Sequence, residues 1–171
     1  MLDLPPIPEA LEGAPIFAGL DAAQLGLIAD LSHLACFDAD DVIFTQGSIS
    51  DELYVVASGE VDIQIDASPI GGEPGERPVT ITTIRRGDSF GEIALVDQGI
   101  RSAAARCGQS DTWLVVIPRR DLVKLCEQHP HLGYNLMRNL AIDLALTIRT
   151  RTTDFQIRES LTWSRGGHPG D

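Results

Sequence analysis

The period of the hydrophobic positions changes twice along the chain. After Asp21, residues Leu25, Ile28, Leu31 and Leu34 return every three or four positions, which predicts a helix through about Leu34 with Asp21 as its N-cap. From about residue 36 the pattern is one of short strands. Val42-Ile43-Phe44-Thr45 runs up to Gly47, and Leu53-Tyr54-Val55-Val56-Ala57 runs up to Gly59. Val61, Ile63 and Ile65 alternate with Asp62, Gln64 and Asp66, the mark of a strand buried on one face. Strands resume over 79–84, 102–107 and 112–117. Many short strands broken by glycine turns predict a sandwich, jelly roll or small barrel.

Pro118 restores the helical period, with Leu122, Leu125, Cys126 and His129 on one face. Pro130 opens a second helix, predicted to reach about Thr152, in which Leu136, Leu140, Leu144 and Ile148 recur every fourth residue. Packing against the strand body is the favoured role for this stripe. It is long for that job, so part of it is available to a partner, a second copy of the chain among them. The stretch from Ala67 to Pro78 reads as a long, exposed hairpin loop. Residues 1–15, rich in Pro and acids, read as an extended lead-in, and 153–171 as a flexible tail. The domain is placed at 16–152, mainly β with flanking helices.

Composition narrows the function classes. With 171 residues the chain is one ordinary domain, long enough to bury about 70% of its unfolded surface without staples. No run of 18 apolar residues predicts a membrane helix, and the start Met1-Leu2-Asp3-Leu4 lacks the features of a secretory signal. Cys36, Cys107 and Cys126 are odd in number and far apart, so they read as small hydrophobes in a reducing cytoplasm. The net charge is −12, and it is uneven. Residues 1–100 carry 3 Arg against 18 Asp and Glu, whereas 101–171 carry 10 Lys and Arg against 7 acids. Such a chain repels a duplex, so nucleic acid is a poor partner.

One segment carries candidate chemistry: Gly87-Asp88-Ser89-Phe90-Gly91-Glu92-Ile93-Ala94-Leu95, followed by Arg101-Ser102-Ala103. Gly91 permits a tight turn and close backbone approach. Residues 92–96 are short and helix-prone, so their first N–H groups can face an anion. Arg101, beyond the turn Asp97-Gln98-Gly99, can fold back to the same point and present a planar fork to a phosphate. Glu92 beside an anion site is unfavourable unless it faces hydroxyls, which a ribose would provide. Phosphate, sugar hydroxyl and an apolar strand surface for a base together describe a nucleotide monophosphate.

These residues, with Gln46-Gly47, Asp51-Glu52-Leu53-Tyr54 and Ser58-Gly59-Glu60-Val61, resemble the cyclic nucleotide-binding domain of bacterial catabolite activators, kinase regulatory subunits and cyclic-nucleotide-gated channels. The resemblance runs over roughly 16–150. It implies an eight-stranded β-roll flanked by helices, a phosphate-binding cassette over 91–103, and a regulatory role without catalysis. It further implies that Glu92 holds the ribose 2′-hydroxyl and Arg101 a phosphate oxygen. N–H groups near Ala94 and Ser102, and the Ser102 hydroxyl, would complete the phosphate shell, with Gly91, Ile93 and Ala103 lining it. Serine at 102 suits cyclic AMP first and cyclic GMP second. The helix after the roll would cover the base, with Leu144 and Ile148 as the lid. The expected partners are the nucleotide and a protein effector.

Two positions depart from the family pattern. Ile100 stands where a proline often precedes the arginine, and Ser48-Ile49-Ser50 replaces the usual Glu-x-Gly after Gly47, a change expected to touch a turn rather than the ligand. Other readings stay open. A transcription factor would need a helix-turn-helix domain, for which the 18 residues after Thr153 are too few. A cupin-like metal enzyme would need histidines inside the roll, and none occurs between His33 and His129. His129 and His131 flank Pro130 and suit a cap or surface role. A roll serving only as a ligand-free interaction scaffold and the regulatory fragment of a larger protein are the remaining alternatives.

Overall fold

A computed structural model describes residues 5–66, 78–97 and 100–165, with the side chains of 94, 97 and 151–165 outside that description. Eight strands form two four-stranded antiparallel sheets. They are β1 (His33–Phe37), β2 (Val42–Phe44), β3 (Glu52–Ser58), β4 (Glu60–Ile65), β5 (Val79–Arg85), β6 (Ser89–Phe90), β7 (Ala104–Cys107) and β8 (Thr112–Pro118). One sheet has the order β1-β8-β3-β6 and the other β2-β7-β4-β5. This is the mainly β architecture with flanking helices that the pattern predicts, in the form of the eight-stranded roll that the resemblance implies.

The two unbroken apolar runs, β3 and β8, are paired at the centre of the first sheet with Val55 opposite Val115. They are buried on both faces. Val56, Leu114 and Val116 point between the sheets and meet Val61, Phe90 and Ala105. Leu53, Val55, Ala57, Val115 and Ile117 point the other way, into a core shared with the helices. Alternation is lost in such strands because neither face meets water. It survives in β4, where Val61 and Ile63 join the inter-sheet core while Asp62 accepts from Thr83 Oγ1 at 2.6 Å.

The helices are α1 (Ile7–Glu12), a 3₁₀ turn (Pro15–Phe17), α2 (Ala22–Asp30), α3 (Ala94–Asp97), α4 (Arg119–Gln128) and α5 (Pro130–Arg165). Asp21 caps α2 through a capping box, its carboxylate accepting from the Gln24 N–H at 2.8 Å. His129 is the C-cap of α4. α5 packs on α4 and the 3₁₀ turn. Leu132, Leu136 and Leu140 are buried, Leu144 is half-buried and Ile148 exposed, so the stripe emerges from the core along its length. Gly133 allows the close α4–α5 crossing, since a Cβ there would lie 3.0 Å from Cys126 Cβ.

Several expectations need correction. The lead-in is not extended throughout: Ile7–Glu12 is helical and buries Ala10 and Leu11. Its prolines sit at the helix start, where a missing N–H costs nothing. α2 stops at Asp30, and Leu34 belongs to β1, an unforeseen edge strand whose half-buried residues show no clean alternation. β6, two residues long, was equally invisible. α5 runs to Arg165 rather than ending near Thr152, because neither Gly nor Pro occurs between Thr152 and Gly166. The 67–78 hairpin loop (save Pro78), residues 98 and 99 of the cassette turn, and the final residues from 166 onward lie outside the described residues.

Candidate functional site

The second sheet, the cassette segment and α5 enclose a cavity of about 690 Å³. Small-molecule sites span roughly 300–1,000 Å³. Its apolar wall comes from Phe44, Ile63, Ile81 and Ile84 on the strands, and its other side from the α5 stretch between Asn139 and Thr147. The cassette contributes Gly91, Glu92, Ile93, Arg101, Ser102 and Ala103. Local folding explains why these residues converge. Phe90 is buried and stacks on Tyr54 at 4.9 Å, which fixes the end of β6. Leu95 is buried in the helix-side core and anchors α3. The Arg101 backbone is held by the preceding loop: its N–H donates to Ser48 O at 2.9 Å and its O accepts from the Gly47 N–H at 2.8 Å.

Arg101 is a charged residue only 5% exposed. Nη2 donates to Glu52 O at 2.7 Å and to Ser50 Oγ at 2.8 Å, and Nη1 donates to Gly91 O at 3.2 Å. The guanidinium carbon lies 4.1 Å from the Phe44 ring centroid, a cation–π contact. Among the described residues no carboxylate stands within ion-pair distance of it, and Nε is buried without a hydrogen-bond partner. Burial pulls the guanidinium pKa down from its ordinary value, opposed by the nearby Tyr54, Glu52, Glu92 and Asp51. A buried charge without a paired anion is costly. An incoming anion beside the guanidinium would relieve that cost.

Gly91 is needed here for two reasons. Its φ is +82°, and a Cβ would stand 2.6 Å from Arg101 Nη1 and 3.1 Å from Glu52 O. The close approach expected of this glycine is therefore made to the arginine and to strand β3. Glu92 lies in the turn before α3, with its carbonyl accepting from the Leu95 N–H at 3.0 Å. Burial pushes the Glu92 carboxyl pKa up, its own backbone N–H opposes this, Asp143 adds to the rise, and Arg101 works against it. Ser102 is exposed and Ala103 half-buried. Ala94 opens α3, and its side chain is outside the described residues. Of the two lid residues, Leu144 lines the cavity, whereas Ile148 is 65% exposed and outside that lining.

Comparison with known proteins fits this geometry. The model of the cyclic nucleotide-binding domain matches residues 35–129. The chain belongs to that family. The cyclic AMP receptor protein of Thermus thermophilus is 34% identical over 131 residues, covering 77% of this chain and 57% of its own length. The crystal structure of the Thermus thermophilus catabolite activator protein superposes with a TM-score of 0.70 at 29% identity, over 85% of this chain and 63% of that one. The regulatory domain of Toxoplasma gondii PKA, co-crystallised with cAMP, shares the fold with a TM-score of 0.64 at 23% identity, over 85% and 49% of the two chains. This chain thus spans a little over half the length of its Thermus relative. These family members carry receptor, activator and regulatory names. No helix among the described residues is long and apolar enough to cross a membrane.

The sequence missed several residues of the site. Phe44 was visible only as a strand residue, and Asp143 and Thr147 only as polar positions between leucines, yet all three line the cavity. The replacement of Glu-x-Gly by Ser48-Ile49-Ser50 does more than alter a turn, since Ser50 bonds Arg101 directly. That contact spans 51 positions and left no local signal.

Proposed function

We propose that this domain binds a cyclic nucleotide, cyclic AMP ahead of cyclic GMP, and acts as a regulatory module rather than a catalyst. The observation that carries the reading is the buried Arg101, a cation with no carboxylate partner among the described residues, which lines a cavity of nucleotide size. A phosphate there supplies the missing counter-charge and an acceptor, a charge-assisted bond worth about 1.5–3 kcal/mol. Glu92, ionised, accepts from the ribose 2′-hydroxyl. The Ser102 hydroxyl and N–H groups near Ala94 and Ser102 complete the phosphate shell, while Gly91, Ile93 and Ala103 shape it. The base lies against the strand wall under Leu144. Signalling follows if the nucleotide binds more tightly with α5 closed than with α5 displaced, since only a difference in affinity shifts a population. A protein effector that distinguishes the two α5 positions reads the outcome.

Calorimetric titration with cyclic AMP, cyclic GMP and linear AMP tests this. The expected order of affinity is cyclic AMP, then cyclic GMP, then linear AMP, with Arg101→Ala weakening cyclic AMP by about 2 kcal/mol or more. No saturable binding of either cyclic nucleotide, or wild-type affinity in Arg101→Ala, refutes the reading.

A further inference from the structure

We propose that the Ser50 side chain, oriented by the Glu52 carboxylate, positions Arg101 for phosphate capture. The inference rests on the phosphate-binding reading of Arg101 and adds to it a residue that the usual glycine could not supply. Ser50 Oγ accepts from Arg101 Nη2 at 2.8 Å and donates to Glu52 Oε2 at 3.0 Å. The same Oε2 accepts from the Tyr54 hydroxyl at 2.7 Å, and Tyr54 is held by its stack on the buried Phe90. The direction of the chain follows from donor and acceptor counting. An ionised carboxylate only accepts, so the single proton of Ser50 goes to Glu52 and a lone pair is left for the guanidinium, which only donates.

The consequence concerns Nε. Nη2 is held by two acceptors, Nη1 by Gly91 O, and the face of the group by Phe44. Three of the five N–H bonds of the fork are thus used, and anchoring at both ends sets the vector along which the remaining two, Nε–H and the second Nη1–H, point. Pre-setting that vector removes an ordering cost from binding. Without the Ser50 hydroxyl, Nη2 keeps one acceptor, a buried N–H is orphaned, and the fork is free to tilt. Ser50 acts through Arg101 and is a positioning residue.

The test combines titration of the whole chain with cyclic AMP and nuclear magnetic resonance of the ligand-free protein. Ser50→Ala is expected to weaken cyclic AMP about tenfold, equivalent to about 1.4 kcal/mol. Ser50→Thr, which keeps the hydroxyl, should stay within about twofold. In an Arg101→Lys background, where the planar fork is gone, Ser50→Ala should cost less than about twofold, because the coupling runs through the guanidinium. In the ligand-free protein the Arg101 Nε–H proton should exchange slowly in wild type and rapidly in Ser50→Ala, with amides of Val55 and Leu114 equally protected in both. Wild-type affinity in Ser50→Ala, a full tenfold loss that persists with Arg101→Lys, or an Nε–H exchange rate indifferent to Ser50 overturns the proposal. If Arg101→Ala weakens cyclic AMP while Ser50→Ala does not, the positioning role alone falls. If Arg101→Ala binds as wild type, phosphate capture falls and the positioning role with it.

Discussion

Two glycines with nearly the same backbone angle separate conformational strain from contact with Arg101. Gly91 has φ +82° and Gly47 has φ +80°. A Cβ on Gly47 meets no heavy atom within 4 Å, whereas one on Gly91 meets Arg101 Nη1 at 2.6 Å and Glu52 O at 3.1 Å. Gly47→Ala should therefore cost only the left-handed backbone penalty, about 1–2 kcal/mol. Gly91→Ala carries the same penalty plus an overpacking cost of about 1–3 kcal/mol. The arginine head can move aside, being the end of a flexible side chain. The Glu52 carbonyl has less room to yield, because Glu52 is paired with Pro118 of β8 and the strand is fixed two residues on by the Tyr54–Phe90 pairing with β6. For a domain of this size 1 kcal/mol is about 2–4 °C in melting temperature. Gly91→Ala should melt about 2–12 °C below Gly47→Ala. Because it displaces the guanidinium, it should also weaken cyclic AMP about tenfold or more, against less than about threefold for Gly47→Ala. Scanning calorimetry and titration of the two variants side by side decide the matter. Equal losses of stability, or equal losses of affinity, would refute the claim that Gly91 is there to let Arg101 in.

Glu92 and α5 give two further expectations. Burial raises the Glu92 carboxyl pKa in the folded protein, so this group stabilises the fold most when protonated and loses that contribution as pH rises through the raised value. Glu92→Gln should thus match or exceed wild-type melting temperature near neutrality, with the difference shrinking as pH falls toward about 4, while cyclic AMP binding weakens; a difference independent of pH contradicts this. Wild-type affinity should fall as pH drops through the same range, and binding should release protons, seen as a dependence of the calorimetric heat on buffer ionisation. Leu144 is half-buried at the cavity, so Leu144→Ala should weaken cyclic AMP by about 1–2 kcal/mol. Saturating cyclic AMP should slow hydrogen exchange over residues 139–147 in wild type and less so in the variant. Unchanged exchange there would remove α5 from the mechanism.

The roll and the cassette were legible because their signals are local. β3 and β8 announce themselves as apolar runs, β4 as a two-residue alternation, and Asp21 as a cap, each readable within a few positions. Gly91, Glu92, Arg101, Ser102 and Ala103 lie within 13 consecutive residues, and all of them line one cavity. Edge elements were illegible: β1 is half-buried and β6 only two residues long, so neither imposes a period on its own sequence. The length of α5 was underread, since a polar stretch without Gly or Pro leaves helix and coil equally open to a pattern argument. What the tertiary structure decided is how Arg101 is held. Its partners Phe44, Ser50 and Glu52 arrive from a different part of the chain, and Asp143, which acts on Glu92 and lines the same cavity, from another still. Sequence patterns record which side chains prefer to leave water. Directional bonds between residues 49 and 51 positions apart depend on strand register and loop path, which exist only once the sheets have closed.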